Sequence, residues 1–329
     1  MRSFTHVEAR TVEEACGLLA EFDGRARVNA GGTDLLGVLK DGIHAQPIEA
    51  LINIKTIPGL DVIQVDHDQI RIGALATLSA IARSETLLSS CGILAEAAHA
   101  VGTPQLRNMG TLGGNLCQEV RCWYYRYPSH LGGSIACLRK GNGTCPATRG
   151  DNRYHAIIGG RGCFAVCPSD MAVALAAADA TVSLVGPGGS CRWIPVEDLY
   201  TPLGTTIAPG ELITEVRVPL PAKGAKSTFS KFTVREPVDF AVVSAAATVV
   251  LHDGVCEDAR IVLGAVGPRP HRAVAAEAFL RGRHLDEESA AMAADLAVAD
   301  TKPLRMNAYK VEIARTLVKR ALLTLAARP

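Results

Sequence analysis

The chain has 329 residues, 48% of them apolar and 20% charged, which suits a soluble globular protein of two or three domains. Its 34 basic and 33 acidic residues leave no net field to attract nucleic acid or an anionic membrane. No run approaches the ~18 apolar residues of a membrane span, and the N-terminus lacks the apolar stretch of a secretory signal, so the cytoplasm is expected unless a signal-bearing partner carries the chain out.

Residues 11–22 carry apolar side chains at helical spacing behind Thr11 as N-cap and Glu14 at the third helical position, which predicts a helix. A short strand over 26–30 runs into Gly31-Gly32, and a helical turn follows over 35–40. Strands are expected over 50–54 and 69–73, the second alternating with period two. Residues 77–99 read as mostly helical with a break near Ser89-Ser90-Cys91-Gly92. From about 116 to 167 there is little periodicity, and the stretch reads as a Cys-rich surface excursion. An Ala-rich helix over 169–178 and a strand over 180–185 restore order. The Pro- and Gly-rich segment 219–226 marks a boundary. One domain is therefore expected over 1–222, in two subdomains of about 1–57 and 58–222, and another over 223–329. In the latter, strands over 227–235, 240–252 and 257–266 precede helices over 271–281, 286–299 and 307–327, the order of a compact α+β domain.

Two glycine turns stand out, Asn29-Ala-Gly-Gly-Thr-Asp34 and Gly110-Thr-Leu-Gly-Gly-Asn115. Glycine lets the backbone approach a phosphate and present N–H groups to it, and a threonine hydroxyl adds a donor. Neither is a G-x-G-x-x-G or Walker A sequence, so a Rossmann or P-loop reading has no support. Two such turns point to a pyrophosphate, whereas either alone would be an ordinary tight turn.

Six of the ten cysteines fall within 117–167. Cys16, Cys91, Cys191 and Cys256 are isolated and expected as small buried hydrophobes. A disulfide framework belongs to small secreted domains, so a metal site is the better reading of the cluster. Cys122-x14-Cys137-x7-Cys145-x17-Cys163 contains no C-x2-C pair, which leaves iron–sulfur and structural zinc equally open on spacing. Cys117 and Cys167 are spare thiols, and Cys167 competes with Cys163 for the fourth position. Trp123, Tyr124, Tyr125 and Tyr127 place four of the chain's fifteen aromatics here, to shield a cluster, to dock the excursion or to face a sister subunit. No H-E-x-x-H pair and no G-x-S-x-G elbow is present, so no catalytic residue is expected.

Taken together, Ala30-Gly-Gly-Thr-Asp-Leu35, Ile72-Gly-Ala-Leu-Ala-Thr-Leu78, Arg107-Asn-Met-Gly-Thr-Leu-Gly-Gly-Asn115, Pro168-Ser-Asp170, Lys231-Phe232 and Asn307-Ala-Tyr-Lys310 resemble the FAD-binding medium subunit of the molybdenum hydroxylases, the xanthine dehydrogenase and carbon monoxide dehydrogenase superfamily. The resemblance covers essentially the whole chain. It implies an α+β fold: a two-lobed FAD-binding domain of the medium-subunit type, here with a Cys-rich loop insertion, followed by a C-terminal domain of antiparallel sheet and helices. Gly31, Gly32, Thr33 and Asp34, with Thr111, Gly113, Gly114 and Asn115, would hold the FAD pyrophosphate. Ala30, Leu35, Thr77 and Asn108 complete the implied cofactor set. Asp170 would accept from ribityl or ribose hydroxyls. Lys231 is either a neighbour of the isoalloxazine or a solvated strand lysine.

The insertion of about fifty residues resembles that of 4-hydroxybenzoyl-CoA reductase and of periplasmic-type aldehyde oxidoreductases, whose medium subunits carry an extra [4Fe-4S] cluster. On that resemblance Cys122, Cys137, Cys145 and Cys163 are the metal ligands. The implied partners are a large subunit with the molybdenum cofactor, a small subunit with two [2Fe-2S] clusters, and a soluble acceptor or donor such as NAD, ferredoxin or a quinone. The substrate stays open. Two rivals are a stand-alone flavoprotein oxidoreductase and a zinc-stapled assembly subunit without flavin.

Overall fold

The computed structural model describes residues 2–236 and 238–328. The first lobe contains β1 (Thr5–Glu8), α1 (Val12–Glu21), β2 (Ala26–Asn29), α2 (Leu35–Asp41) and β3 (Ala50–Asn53). Its strands form a parallel sheet in the order β1-β3-β2, and every residue of central β3 is buried, as strands covered on both faces require. Thr11 caps α1 by accepting from the Glu14 N–H at 3.1 Å. The Glu14 carboxylate accepts instead from the Arg10 N–H at 2.7 Å, one residue short of a capping box.

The second lobe opens with β4 (Ile63–Asp66) and β5 (Gln69–Gly73). Then come α3 (Leu78–Arg83), α4 (Glu85–Ser90), α5 (Gly92–His99), α6 (Pro104–Met109) and α7 (Leu112–Leu116). The expected helix over 77–99 is thus broken twice, because Ser84 ends α3 and turns its hydroxyl onto the Leu87 N–H to cap α4, and Cys91 separates α4 from α5. After the insertion follow α8 (Asp170–Ala177), β6 (Thr181–Val185), β7 (Cys191–Pro195), the two-residue strands β8 (Tyr200–Thr201) and β9 (Gly204–Thr205), and β10 (Leu212–Pro219). The five-stranded antiparallel sheet runs β4-β5-β10-β6-β7, so β10, which the sequence reading did not expect, joins the strands before the insertion to those after it.

The C-terminal part is an antiparallel sheet of β11 (Ala225–Phe232), β12 (Val243–His252), β13 (Val255–Gly264) and β14 (His271–Arg272). Helices α9 (Val274–Leu280) and α11 (Tyr309–Ala327) pack on it, and α10 (Glu287–Ala297) packs on those two helices. This is the expected antiparallel sheet with helices. The strands expected over 227–235 and 240–252 overran, because Arg235 turns its N–H (3.0 Å) and guanidinium (2.7 Å) onto the Asp239 carboxylate.

Helix α8 packs on β12 and β13 of the third sheet and shares a core with Ile72, Val182 and Val216 of the second, and all eight of its residues are buried. A helix apolar on every side belongs at the centre of a fold. Its N-terminus carries Ser169 as cap and Asp170 in the first turn, which brings those polar groups to the junction of the sheets.

Of the isolated cysteines, Cys16, Cys91 and Cys256 are buried as expected, but Cys191 is exposed on β7, at the sheet edge. No helix among the described residues is long and apolar enough to cross a membrane.

Candidate cofactor cleft and cysteine insertion

Three segments distant in sequence build one wall. After β2 the backbone turns at Gly31 and Gly32, the latter at φ +70°. A Cβ on Gly31 would lie 1.9 Å from the Met109 carbonyl oxygen, so only glycine lets the first turn touch the second. The segment after β5 is laced to the second turn by backbone hydrogen bonds. Leu78 N–H donates to Gly110 O (2.9 Å), Leu112 N–H to Ala76 O (2.9 Å) and Gly113 N–H to Ala74 O (2.8 Å). Thr77 and Thr111 cap α3 and α7, accepting from the Ala80 (3.1 Å) and Gly114 (3.2 Å) N–H groups, and each hydroxyl proton is left to donate elsewhere.

A cavity of about 260 Å³ opens along this wall, lined by Ala30, Gly31, Gly32, Thr33, Asp34, Leu35, Thr111, Gly113 and Gly114. It is smaller than the ~300–1,000 Å³ that holds a whole ligand, and so would take one part of an extended cofactor. Thr77, Asn108 and Asn115 do not line it. Asn108 accepts from Ser79 Oγ (2.5 Å) and Asn115 from Ser169 Oγ (2.6 Å), so these two amides brace the wall.

Asp34 is used differently from the expectation. Its Oδ2 accepts from the Glu119 N–H at 2.7 Å, and its Oδ1 faces Arg121 (2.9 Å) and Arg126 (3.0 Å). The two guanidinium contacts have the distance of ion pairs but not the angles of hydrogen bonds, since Oδ1 has no hydrogen-bond partner. The carboxylate therefore clamps the start of the insertion to the first turn. A carboxylate aimed at a pyrophosphate would repel it.

Asp170 and Lys231, expected in separate roles, form one buried pair. Lys231 Nζ lies 2.7 Å from Asp170 Oδ2 and also donates to Ala100 O at 2.9 Å. Burial holds the Asp170 carboxyl above the usual carboxylate range, against the pull of Lys231. Lys231 is thus not a solvated lysine. Asp170 lines a second cavity of about 440 Å³, together with Arg121, Cys122, Trp123 and Phe240. Arg121 lies over the Phe240 ring at 4.4 Å.

The insertion contains only three short 3₁₀ turns, at 129–131, 138–140 and 146–148. Cys122, Cys137 and Cys163 share one apolar cluster with Val38, Ile43 and Tyr125. Cys145 is also buried. Burial pushes the Cys122 thiol up to about 11, the Tyr125 and Tyr124 N–H groups pull it back, and charge at Cys145 and Cys163 would raise it further. Cys167 is buried outside that apolar cluster, and Cys117 is exposed and lines the smaller cavity. Among the described residues no three His, Cys, Asp or Glu side chains stand together as a site for a single metal ion.

The stretch is not a surface excursion. Ile157 belongs to the C-terminal core, and the Ile157 (2.8 Å) and Ile158 (3.0 Å) N–H groups both donate to Val266 O. Asn307 Nδ2 donates to His155 O at 3.0 Å. Lys310, fully buried on α11, donates to His155 O (3.0 Å) and Ala265 O (2.6 Å). Burial pushes the Lys310 ammonium down to about 7. The aromatics dock the loop on itself: Trp123 meets Tyr154 and His155 edge-on, and Tyr124 Oη donates to Asp151 O at 3.1 Å.

Sequence reasoning missed His44, His155 and Lys310. His44 lines the smaller cavity 3.8 Å from Glu119, but burial lowers its pKa to about 4, so at neutral pH the two are not a charge pair. His155 carries no sequence signal. Lys310 does carry one, because it stands in register with Ala314, Leu317 and Ala321 on the buried face of α11.

The profile of the FAD binding domain in molybdopterin dehydrogenase matches residues 2–221, and that of the CO dehydrogenase flavoprotein C-terminal domain matches 227–325. The chain is 35% identical over 324 residues to the FAD-binding subunit PaoB of an aldehyde oxidoreductase from Escherichia coli, covering 96% of each. It is 30% identical over 326 residues to the alpha subunit of the 6-hydroxypseudooxynicotine dehydrogenase complex of Paenarthrobacter nicotinovorans, covering 97% of this chain and 93% of that one. Among solved structures, a chain of the reconstituted CO dehydrogenase from Oligotropha carboxidovorans superposes with a TM-score of 0.79 at 26% identity, over 100% of this chain and 99% of that one.

Proposed function

The chain belongs to the FAD-binding medium subunits of the molybdenum hydroxylase family, and from that membership we propose that it is the electron-relay subunit of a heteromeric molybdenum hydroxylase, carrying FAD in its cleft and a [4Fe-4S] cluster in its insertion. The observation that carries the reading is the close approach of Gly31 to the Met109 carbonyl, which joins the two glycine turns into one wall beside a cavity. Gly31, Gly32, Thr33, Thr111, Gly113 and Gly114 would hold the pyrophosphate, with Arg27 on the same cavity as a cation. Asp170 Oδ2 is taken by Lys231, which leaves Oδ1 to accept from a cofactor hydroxyl. FAD, when bound, supplies exchange between one- and two-electron carriers, and the protein supplies its position and electrostatics.

For the cluster, support comes from the thiol set. Cys122, Cys137 and Cys163 share an apolar cluster, and the Tyr125 and Tyr124 N–H groups favour the Cys122 thiolate against burial, as they would a cluster sulfur. In this reading residues 1–222 form the FAD-binding domain and 223–329 the C-terminal domain. The partners are a molybdenum-cofactor large subunit and a [2Fe-2S] small subunit, with a soluble external acceptor or donor.

The test is an absorption spectrum of anaerobically purified chain, with iron, zinc and flavin counted. Flavin bands with about four irons per chain are expected. Zinc without flavin or iron would remove the reading. Cys122→Ser should lose the iron and keep FAD.

A further inference from the structure

Beside Cys122 stands a side chain to which no role has yet been given. His155 is 3% exposed, and its Nε2 lies 3.3 Å from Cys122 Sγ, while Nδ1 is buried with no partner. The ring cannot drift. It meets Trp123 edge-on at 5.5 Å, and its backbone is fixed at both ends. The His155 N–H donates to Asn152 O at 3.0 Å, and its carbonyl accepts from Asn307 Nδ2 and Lys310 Nζ, each at 3.0 Å.

The orphaned Nδ1 decides the tautomer. With the proton on Nδ1, a buried N–H would go unpaired and Nε2 would be an acceptor facing a metal-bound thiolate that has no proton to give. With the proton on Nε2, the thiolate accepts and Nδ1 is left only with a bare lone pair.

We propose that His155 is a positioning residue for the cluster, donating its Nε2–H to the Cys122 sulfur and so raising the cluster's reduction potential. A donated hydrogen bond stabilises the extra negative charge that the sulfur takes on when the cluster gains an electron. The inference rests on the cluster reading above. It also gives the C-terminal part a function, since Asn307 and Lys310 hold the backbone from which the ring reaches the sulfur.

The experiment uses the full chain, purified anaerobically as wild type, His155→Phe and His155→Gln. Iron and FAD are counted, and the cluster is titrated at poised potentials with paramagnetic resonance as readout. Phe should keep iron and FAD, shift the cluster to lower potential, and lose an exchangeable-proton coupling present in the reduced wild type. Gln, which retains an N–H donor, should recover part of the shift. A cluster present in all three at one potential would overturn the inference and leave the cluster reading intact. Loss of iron from both variants with FAD retained would also overturn it, because His155 would then build the loop rather than set the potential. Absence of iron in the wild type would remove the cluster reading and this inference together.

Discussion

The cleft wall and the insertion that follows it are neighbours in sequence but are built by opposite means. The wall is backbone on backbone: glycines, threonine caps and a lattice of N–H to carbonyl bonds among 31–34, 74–78 and 109–114. The insertion has almost no regular structure and is tied down by side chains, with Asp34 clamping its start and Asn307 and Lys310 holding its later part. A site made of main chain tolerates few changes of shape. A loop held by long-range anchors can be loosened one anchor at a time. Damage to the first should therefore cost flavin and global stability, and damage to the second should cost local order while flavin stays.

The largest effect is expected at the junction. Asp170→Ala strands the Lys231 ammonium in the core, which costs about 3–5 kcal/mol. Chemical denaturation should show that loss, and adding Lys231→Met should restore part of it. Next is Gly31→Ala, whose methyl meets main chain that has no rotamer to change. A loss of about 3 kcal/mol and a drop in the flavin-to-protein ratio are expected. Wild-type flavin content in that variant would break the contrast.

In the insertion, Lys310→Met takes the side-chain donor from the buried Ala265 carbonyl and one of the two from His155 O, which keeps Asn307, and should cost about 2 kcal/mol. It also has a pH signature. The folded chain releases the Lys310 proton near pH 7, whereas the unfolded chain holds it until about pH 10.5. Between those values the unfolded state binds more protons, so wild-type stability should rise with pH relative to the variant. Denaturation at several pH values checks the sign, and a difference that shrinks with rising pH would refute it. The smallest effect is Asp34→Asn, about 1–2 kcal/mol, because its guanidinium partners are partly exposed. Hydrogen exchange should quicken over 119–126 with flavin unchanged. Loss of flavin there would return Asp34 to the cofactor.

The sequence by itself determined the two glycine turns, the cluster of thiols, the long closing helix and the order of strands and helices in the C-terminal part, because each is written in short-range periodicity or in a residue type with few uses. It did not disclose β10, since what makes that strand central is pairing with β5 and β6, two segments it does not touch in sequence. Tertiary structure alone decided where the carboxylates point. Asp34 reads as part of a phosphate loop until Arg121 and Arg126 arrive beside it, and Asp170 reads as free until Lys231 reaches it from β11. The same holds for His155, beside Cys122 with its carbonyl held by Asn307 and Lys310 from the far end of the chain. Local pattern fixes what a backbone can do. The partner of a charge is set by whichever distant group shares its low-dielectric pocket, and no window along the chain contains that information.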